Sequence, residues 1–199
     1  MSRAELKKCI KNVRNLERFY EGYNKKFCNR YPFYRPSEQE VVAYYILPLL
    51  FSLGFSKNQI AVQYPTNLNN ARNHADIIIY KKDLDKEKDC NKRNINNNRI
   101  KEVISGLKGT ILTIIEAKNP SILEDKKTHK SEEKSKCIYK EAKKKYVKNG
   151  VNCNFMMITD GLRYYAYKIK NGELIAKINL KNDDEKEVFN FFINLHFKP

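Results

Sequence analysis

Three residues of this chain have the types and the spacing to hold a hard metal ion beside an ammonium group. Asp76 opens an apolar run, His74-Ala75-Asp76-Ile77-Ile78-Ile79, and Glu116 and Lys118 close another, Ile114-Ile115-Glu116-Ala117-Lys118. On a β-strand residues i and i+2 share a face, so Glu116 and Lys118 project together, and pairing of the two runs would bring Asp76 alongside. Carboxylates at the mouths of strands this apolar are costly to bury unless they pair or hold a cation. With no His or Cys ligand near them, such oxygen donors favour Mg²⁺, or Mn²⁺ in its place, over zinc. The chemistry that follows is phosphodiester hydrolysis: the cation neutralises a phosphate oxygen and activates a water, while the lysine stabilises developing charge or positions the nucleophile. A Glu-x-Lys triplet also arises by chance in any lysine-rich chain, as a surface ion pair. The two apolar strands are what give it weight. His74 shares the face of Asp76, though a polar strand-end residue is its plainer reading.

The elements that must position these residues are legible in outline. Ser2 to about Phe27 reads as a long basic amphipathic helix, with a capping-box pattern at Ser2-x-x-Glu5 and Leu6, Ile10, Val13, Leu16, Tyr20, Tyr23 and Phe27 at helical spacing. Residues 1–30 are taken as this helix and 31–199 as the main domain. A second helix opens on the capping box Ser37-Glu38-Gln39-Glu40 and ends at Gly54, and Pro48 within it should bend it or loosen one hydrogen bond. Ile60 to Tyr64, Ala75 to Tyr80 and Thr110 to Glu116 read as strands, the last two buried. Between them a polar, Asn-rich insertion at about 81–109 has room for one short helix at Ile100 to Leu107. A lysine-rich helix around Ile138, Ala142, Tyr146 and Val147 follows the second buried strand. Then come a third buried strand at Phe155 to Ile158, a turn at Thr159-Asp160-Gly161, and two strands joined at Asn171-Gly172. A closing helix spans Asp183 to Phe197.

The 199 residues carry 39 Lys and Arg against 23 Asp and Glu, a formal charge of +16. A surplus of that size attracts phosphate polyanions through counterion release. A lysine-rich solvated surface accounts for it equally, so charge alone does not choose a nucleic-acid partner. Arg72 and the lysines of Lys134 to Lys148 are candidate phosphate contacts on the same footing. No apolar run approaches the roughly 18 residues a spanning helix requires. The basic start leads into no signal-peptide core. These features point to a cytoplasmic protein with no membrane partner. The odd, scattered set Cys9, Cys28, Cys90, Cys137 and Cys153 contains no CxxC pair and reads as free thiols, mostly filling the core.

Several motifs in order resemble the PD-(D/E)xK nucleases, and within them the N-terminal nuclease domain of type I restriction enzyme R subunits, over about Ser37 to Tyr167. Glu38 followed by Ile46-Leu47-Pro48-Leu49-Leu50 and Leu53-Gly54-Phe55 is similar to that family's opening helix. His74-Ala75-Asp76-Ile77-Ile78, Ile115-Glu116-Ala117-Lys118 and Thr159-Asp160-Gly161-Leu162-Arg163-Tyr164 are similar to its later segments. The resemblance implies an α/β fold, a restriction-endonuclease-like mixed central sheet flanked by helices. It also implies Asp76 and Glu116 as metal ligands, Lys118 as the catalytic lysine, Glu38 as the helix acid that completes the metal site as a further ligand or supports it, and the Ala117 carbonyl as a further metal contact. Glu40 is the rival helix acid, but its place in the capping box supplies it with a structural role.

The chain also departs from the family pattern. Ala142 stands where a Gln-x-x-x-Tyr motif would carry its glutamine, leaving Tyr146 as a lesser site candidate, and Tyr164 replaces a tryptophan. No GxxxxGK[ST] phosphate loop is present, so ATP-driven translocation is not expected from this sequence. The expected function is a Mg²⁺-dependent DNA endonuclease in host defence or DNA processing. Its partners would be DNA and separate motor, modification or specificity subunits, and a homo-oligomer is compatible with the sequence. The alternatives are a DNA-binding subunit of a restriction complex that cuts only with a partner or not at all, and a basic RNA-binding protein.

Overall fold

The computed structural model describes residues 3–27, 36–65, 74–81, 111–123, 128–147 and 153–195. The helices are α1 (Arg3–Phe27), α2 (Glu38–Val41), α3 (Leu47–Ser52), α4 (Pro120–Leu123), α5 (Thr128–Val147) and α6 (Glu185–Asn194). Six strands, β1 (Ile60–Pro65), β2 (His74–Tyr80), β3 (Ile111–Ala117), β4 (Phe155–Thr159), β5 (Arg163–Lys168) and β6 (Leu174–Asn179), form one sheet in sequence order. Only β3 and β4 are parallel; the other neighbours are antiparallel. A parallel pair cannot be joined by a tight turn, and α4 and α5 supply the crossover. The result is the mixed α/β sheet flanked by helices that the sequence implies.

Both faces of the sheet are covered, which explains the near-continuous apolar runs of β2, β3 and β4. Ile77, Ile79, Ile115 and Met157 pack with α1, α2, α3 and α6 through Leu6, Ile10, Val41, Leu49 and Phe192. Ile78, Ile114, Met156 and Ile158 pack on the opposite face with Leu123 of α4 and Tyr139, Ala142 and Tyr146 of α5. The stripe of α1 is thus part of the main core: Leu6, Cys9, Ile10 and Val13 are buried there and Leu16 packs against it. Arg14 of α1 ties it further, donating to the carbonyls of Leu180 at 2.7 Å and Asp183 at 2.6 Å. Cys9 and Cys153 are buried as expected of core thiols, whereas Cys137 is exposed. No helix among the described residues is long and apolar enough to cross a membrane.

The second helix keeps its expected start and carries a specific irregularity. Ser37 caps it, accepting from the Glu40 amide at 3.2 Å while Glu40 accepts from the Ser37 amide at 2.8 Å. Between α2 and α3 the backbone widens into a π turn, Val42–Ile46, closed by the Leu47 amide on the Val42 carbonyl. Pro48 accounts for it, because its ring has no N–H and would strike the carbonyl four residues back in a regular α-helix. The π turn presents Tyr45 to the turn after β4. There Gly161 has φ +86, and a Cβ on it would lie 2.6 Å from the Tyr45 Cβ. Gly54, with φ 92, ends α3 as expected. The capping pattern at Ser2, the side chains of Tyr20, Tyr23 and Phe27, Arg72, Cys28, Cys90 and the helix expected at Ile100 to Leu107 lie outside the described residues.

Candidate active site

The site forms where β3 ends. In the β2–β3 register Ile77 faces Ile115, which sets Asp76 beside Glu116 at the same end of the sheet. Alternation places both on the face covered by α5. Asp76 accepts from the Ala117 amide at 2.8 Å, so its carboxylate is held by the very backbone that carries the Glu-x-Lys residues. Lys118 reaches back to the Glu116 carboxylate at 2.8 Å and also lies 3.3 Å from Glu38. The Lys118 amide donates to the Thr159 carbonyl at 2.8 Å, which fixes the end of β3 against the end of β4.

Glu38 reaches this point because the helix start is pinned: Asn119, directly after Lys118, donates to the Pro36 carbonyl at 2.9 Å. Of the two acidic candidates on that helix, Glu38 stands at the lysine and Glu40 is engaged at the cap. The Thr159-Asp160-Gly161 turn is rigid for local reasons. Thr159 Oγ1 accepts from the Gly161 amide at 2.9 Å, and Asp160 accepts from the amides of Leu162 and Arg163 at 3.0 and 2.7 Å. Asp160 is fully buried and closes its remaining valence on the Arg163 guanidinium at 2.6 Å. Tyr164, in the place of the family tryptophan, is a core residue that meets Phe192 edge-on at 5.7 Å.

Three side chains complete the surroundings. Tyr146 donates from α5 to the second oxygen of Glu116, and its hydroxyl lies 2.9 Å from the His74 carbonyl. Lys145 donates to the same carbonyl at 2.8 Å. Gln63 on β1 donates to Asp76 at 3.3 Å and has φ 52, the left-handed region that L-residues seldom adopt. Sequence reasoning ranked Tyr146 low because its glutamine partner is replaced by Ala142, which is buried in the core on that face. It passed over Gln63, and it counted Lys145 only among the lysines that could touch phosphate. The signal for Gln63 is the β1–β2 register, with Val62 facing Ile77 and Tyr64 facing Ala75, so that Gln63 falls opposite Asp76. His74 contributes its carbonyl.

Burial and the neighbouring Glu116 charge push the Asp76 carboxyl up to about 6, against the opposing pull of the Ala117 amide and Lys118. Burial alone would lower Lys118, but Glu116, followed by Glu38 and Asp76, outweighs it and raises the ammonium above its ordinary value. The Tyr146 hydroxyl is driven well above the usual phenol range, first by burial and then by Glu116, and is a proton donor at neutral pH.

The chain matches, over residues 37–179, the family described as the Type I restriction enzyme R protein N terminus. It belongs to that family. No curated protein and no solved structure matched the chain. The match spans the helix of Glu38, the strands of Asp76 and Glu116, α5 and the hairpin as far as the end of β6. Membership of the type I restriction enzyme R N-terminal family puts the chain among restriction-system, nuclease-type domains. α1 precedes the matched segment and α6 follows it, although both pack into the core on one face.

The donor set suits a hard divalent cation in kind: it offers oxygen atoms only, with the carboxylates of Asp76 and Glu116 side by side at the end of β3. Among the described residues no three His, Cys, Asp or Glu side chains stand gathered as a metal-binding group. Mg²⁺ keeps several waters and is commonly held by one or two carboxylates together with substrate phosphates, so Asp76 and Glu116 are the residues that could hold it.

Proposed function

We propose that the protein is a DNA endonuclease dependent on Mg²⁺ or Mn²⁺, acting in a restriction system in the cytoplasm. The observation that carries this reading is the meeting of Asp76, Glu116 and Glu38 around Lys118 at the end of β3. Asp76 and Glu116, with the Ala117 carbonyl, would hold the cation. When bound, it would supply a Lewis acid for a non-bridging phosphate oxygen and lower the pKa of an attacking water.

The chain's own residues do the rest. Lys118 is kept protonated and aimed by Glu116, so it offers a fixed ammonium to the charge that develops on the phosphate oxygens or to the attacking water. Tyr146 holds the other oxygen of Glu116, restricting that carboxylate to one orientation. The Ala117 amide and Gln63 fix Asp76. Glu38, half exposed, provides a second carboxylate for Lys118.

A second reading, that cutting requires a motor or specificity subunit, is favoured by one observation. Both oxygens of Glu116 are engaged, one by Lys118 and one by Tyr146, so a cation there would have to share an oxygen with one of these donors or displace it. Incubation of supercoiled plasmid with the purified chain in Mg²⁺, Mn²⁺ or EDTA tests both. Nicked or linear product with either metal, absent in EDTA and absent for Glu116→Gln, is the expected result. Product only after companion subunits are added would select the second reading, and cleavage that survives EDTA would overturn the metal mechanism.

A further inference from the structure

A cavity of about 490 Å³ opens on the flank of α5 that faces the β5–β6 hairpin. It is lined by Lys136, Lys140, Lys143 and Lys144, with Tyr139 and the Asn171–Gly172 turn, and by no acidic side chain. Lys136, Lys140 and Lys144 recur every fourth residue and so share one flank of the helix over about 12 Å. Like charges at this spacing weaken a helix. The three lysines have no ion-pair or hydrogen-bond partner among the described residues. The other lysine, Lys143, donates to the Ile169 carbonyl, and Tyr139 donates to the Lys168 carbonyl at 3.1 Å, so the floor and one wall are built by tertiary contacts. Gly172 has φ +73, and a Cβ on it would come within 3.2 Å of the Tyr139 ring, so the rim of the groove fits closely over that ring.

We propose that this groove binds the phosphate backbone of a nucleic acid, separately from the cutting centre. The active-site residues Lys145 and Tyr146 leave α5 on its other flank, toward His74 and Glu116. An extended polyanion fits the groove better than a small phosphorylated ligand. The lysines are exposed point charges spread over a length equal to about three or four phosphates of one DNA strand. A small-molecule site would instead bring converging buried polar groups, whereas the buried hydroxyl of this lining, that of Tyr139, is spent on the Lys168 carbonyl. A membrane surface would require exposed apolar anchors, and its aromatic ring, Tyr139, is buried. The proposal takes DNA as the polyanion from the nuclease reading and rests on it to that extent.

The test is the affinity of the whole chain for a duplex oligonucleotide in EDTA, read by fluorescence anisotropy at several salt concentrations. K136A/K140A/K144A is compared with K8A/K11A/K186A, which removes the same charge from exposed sites elsewhere. Alanine is the best helix former, so the groove variant should keep α5, which circular dichroism will verify. The groove variant is expected to bind on the order of 10- to 100-fold more weakly and to lose about 2 to 3 from the magnitude of the log–log salt slope. The control should change far less. Equal losses in both variants, or no loss in the groove variant, would overturn the groove. Preferred binding of RNA over DNA through these lysines would keep the groove and replace its ligand. The readout does not depend on cleavage: loss of cutting in Glu116→Gln with unchanged binding by the groove variant would refute the groove alone, and the converse would refute the nuclease reading alone.

Discussion

Tyr146 donates its hydroxyl to Glu116 from 30 residues farther along the chain. A helix on one face of the sheet thereby sets the orientation of a carboxylate at a strand end. Outer partners of this kind typically matter 10- to 100-fold in activity or metal affinity when removed. Tyr146→Phe should therefore cut about 10-fold more slowly and require more Mg²⁺, with the ring still packed and the melting temperature nearly unchanged. Metal titration of initial rates measures it. A normal Mg²⁺ dependence would leave Tyr146 as core filler.

Asp76 contributes to the pH dependence of stability in the absence of metal. Its folded value of about 6 lies above the ordinary 3.8, so the native state binds the proton more tightly than the unfolded chain. Stability from this group is full below about pH 4 and falls as pH rises through about 6. Asp76→Asn should remove the effect, leaving the variant on the order of 2 kcal/mol more stable than the wild type at pH 7.5 in EDTA, with the gap nearly closed at pH 4. Urea unfolding at the two pH values checks the sign. An equal gap at both would show that Asp76 ionisation does not oppose folding. The same variant should not cut.

Lys118→Ala and Lys118→Arg should both lose on the order of 100-fold or more in cleavage, while DNA binding in EDTA changes little. The Lys118 ammonium fits between Glu116 and Glu38 at 2.8 and 3.3 Å, and a longer planar guanidinium cannot occupy that point. Retention of most activity by Arg would mean that charge alone is needed. Near-normal turnover by Ala would remove the lysine from the mechanism.

Gly161→Ala should destabilise the protein by about 3 kcal/mol, because the new methyl meets the Tyr45 Cβ at 2.6 Å on a backbone with φ +86. The consequence at the site is indirect, through the Thr159 carbonyl that receives the Lys118 amide. Denaturant unfolding of the variant, with Gly172→Ala at another positive-φ turn for comparison, measures it. A loss below 1 kcal/mol would mean that the π turn yields easily.

The sequence by itself determined the strands, their order along the chain, the capped helix start at Ser37 and the placing of Asp76, Glu116 and Lys118 at the ends of two apolar strands. These depend on local quantities: β-branched runs, i and i+2 alternation, and a cap whose two hydrogen bonds lie within four residues. It also separated Glu38 from Glu40 by their places in that cap, and Glu38 is the one that stands at Lys118. What only the tertiary structure decided is which of the other polar side chains meet them. Gln63 reaches Asp76 because of the register between β1 and β2, Tyr146 reaches Glu116 because of how α5 is rotated on the sheet, and Pro48 is absorbed as a π turn that presses Tyr45 onto Gly161. The reason is that periodicity encodes which face of an element is apolar, whereas the register, rotation and depth at which two elements meet are set by packing between side chains distant in the chain, and a polar residue at such a contact carries no pattern of its own.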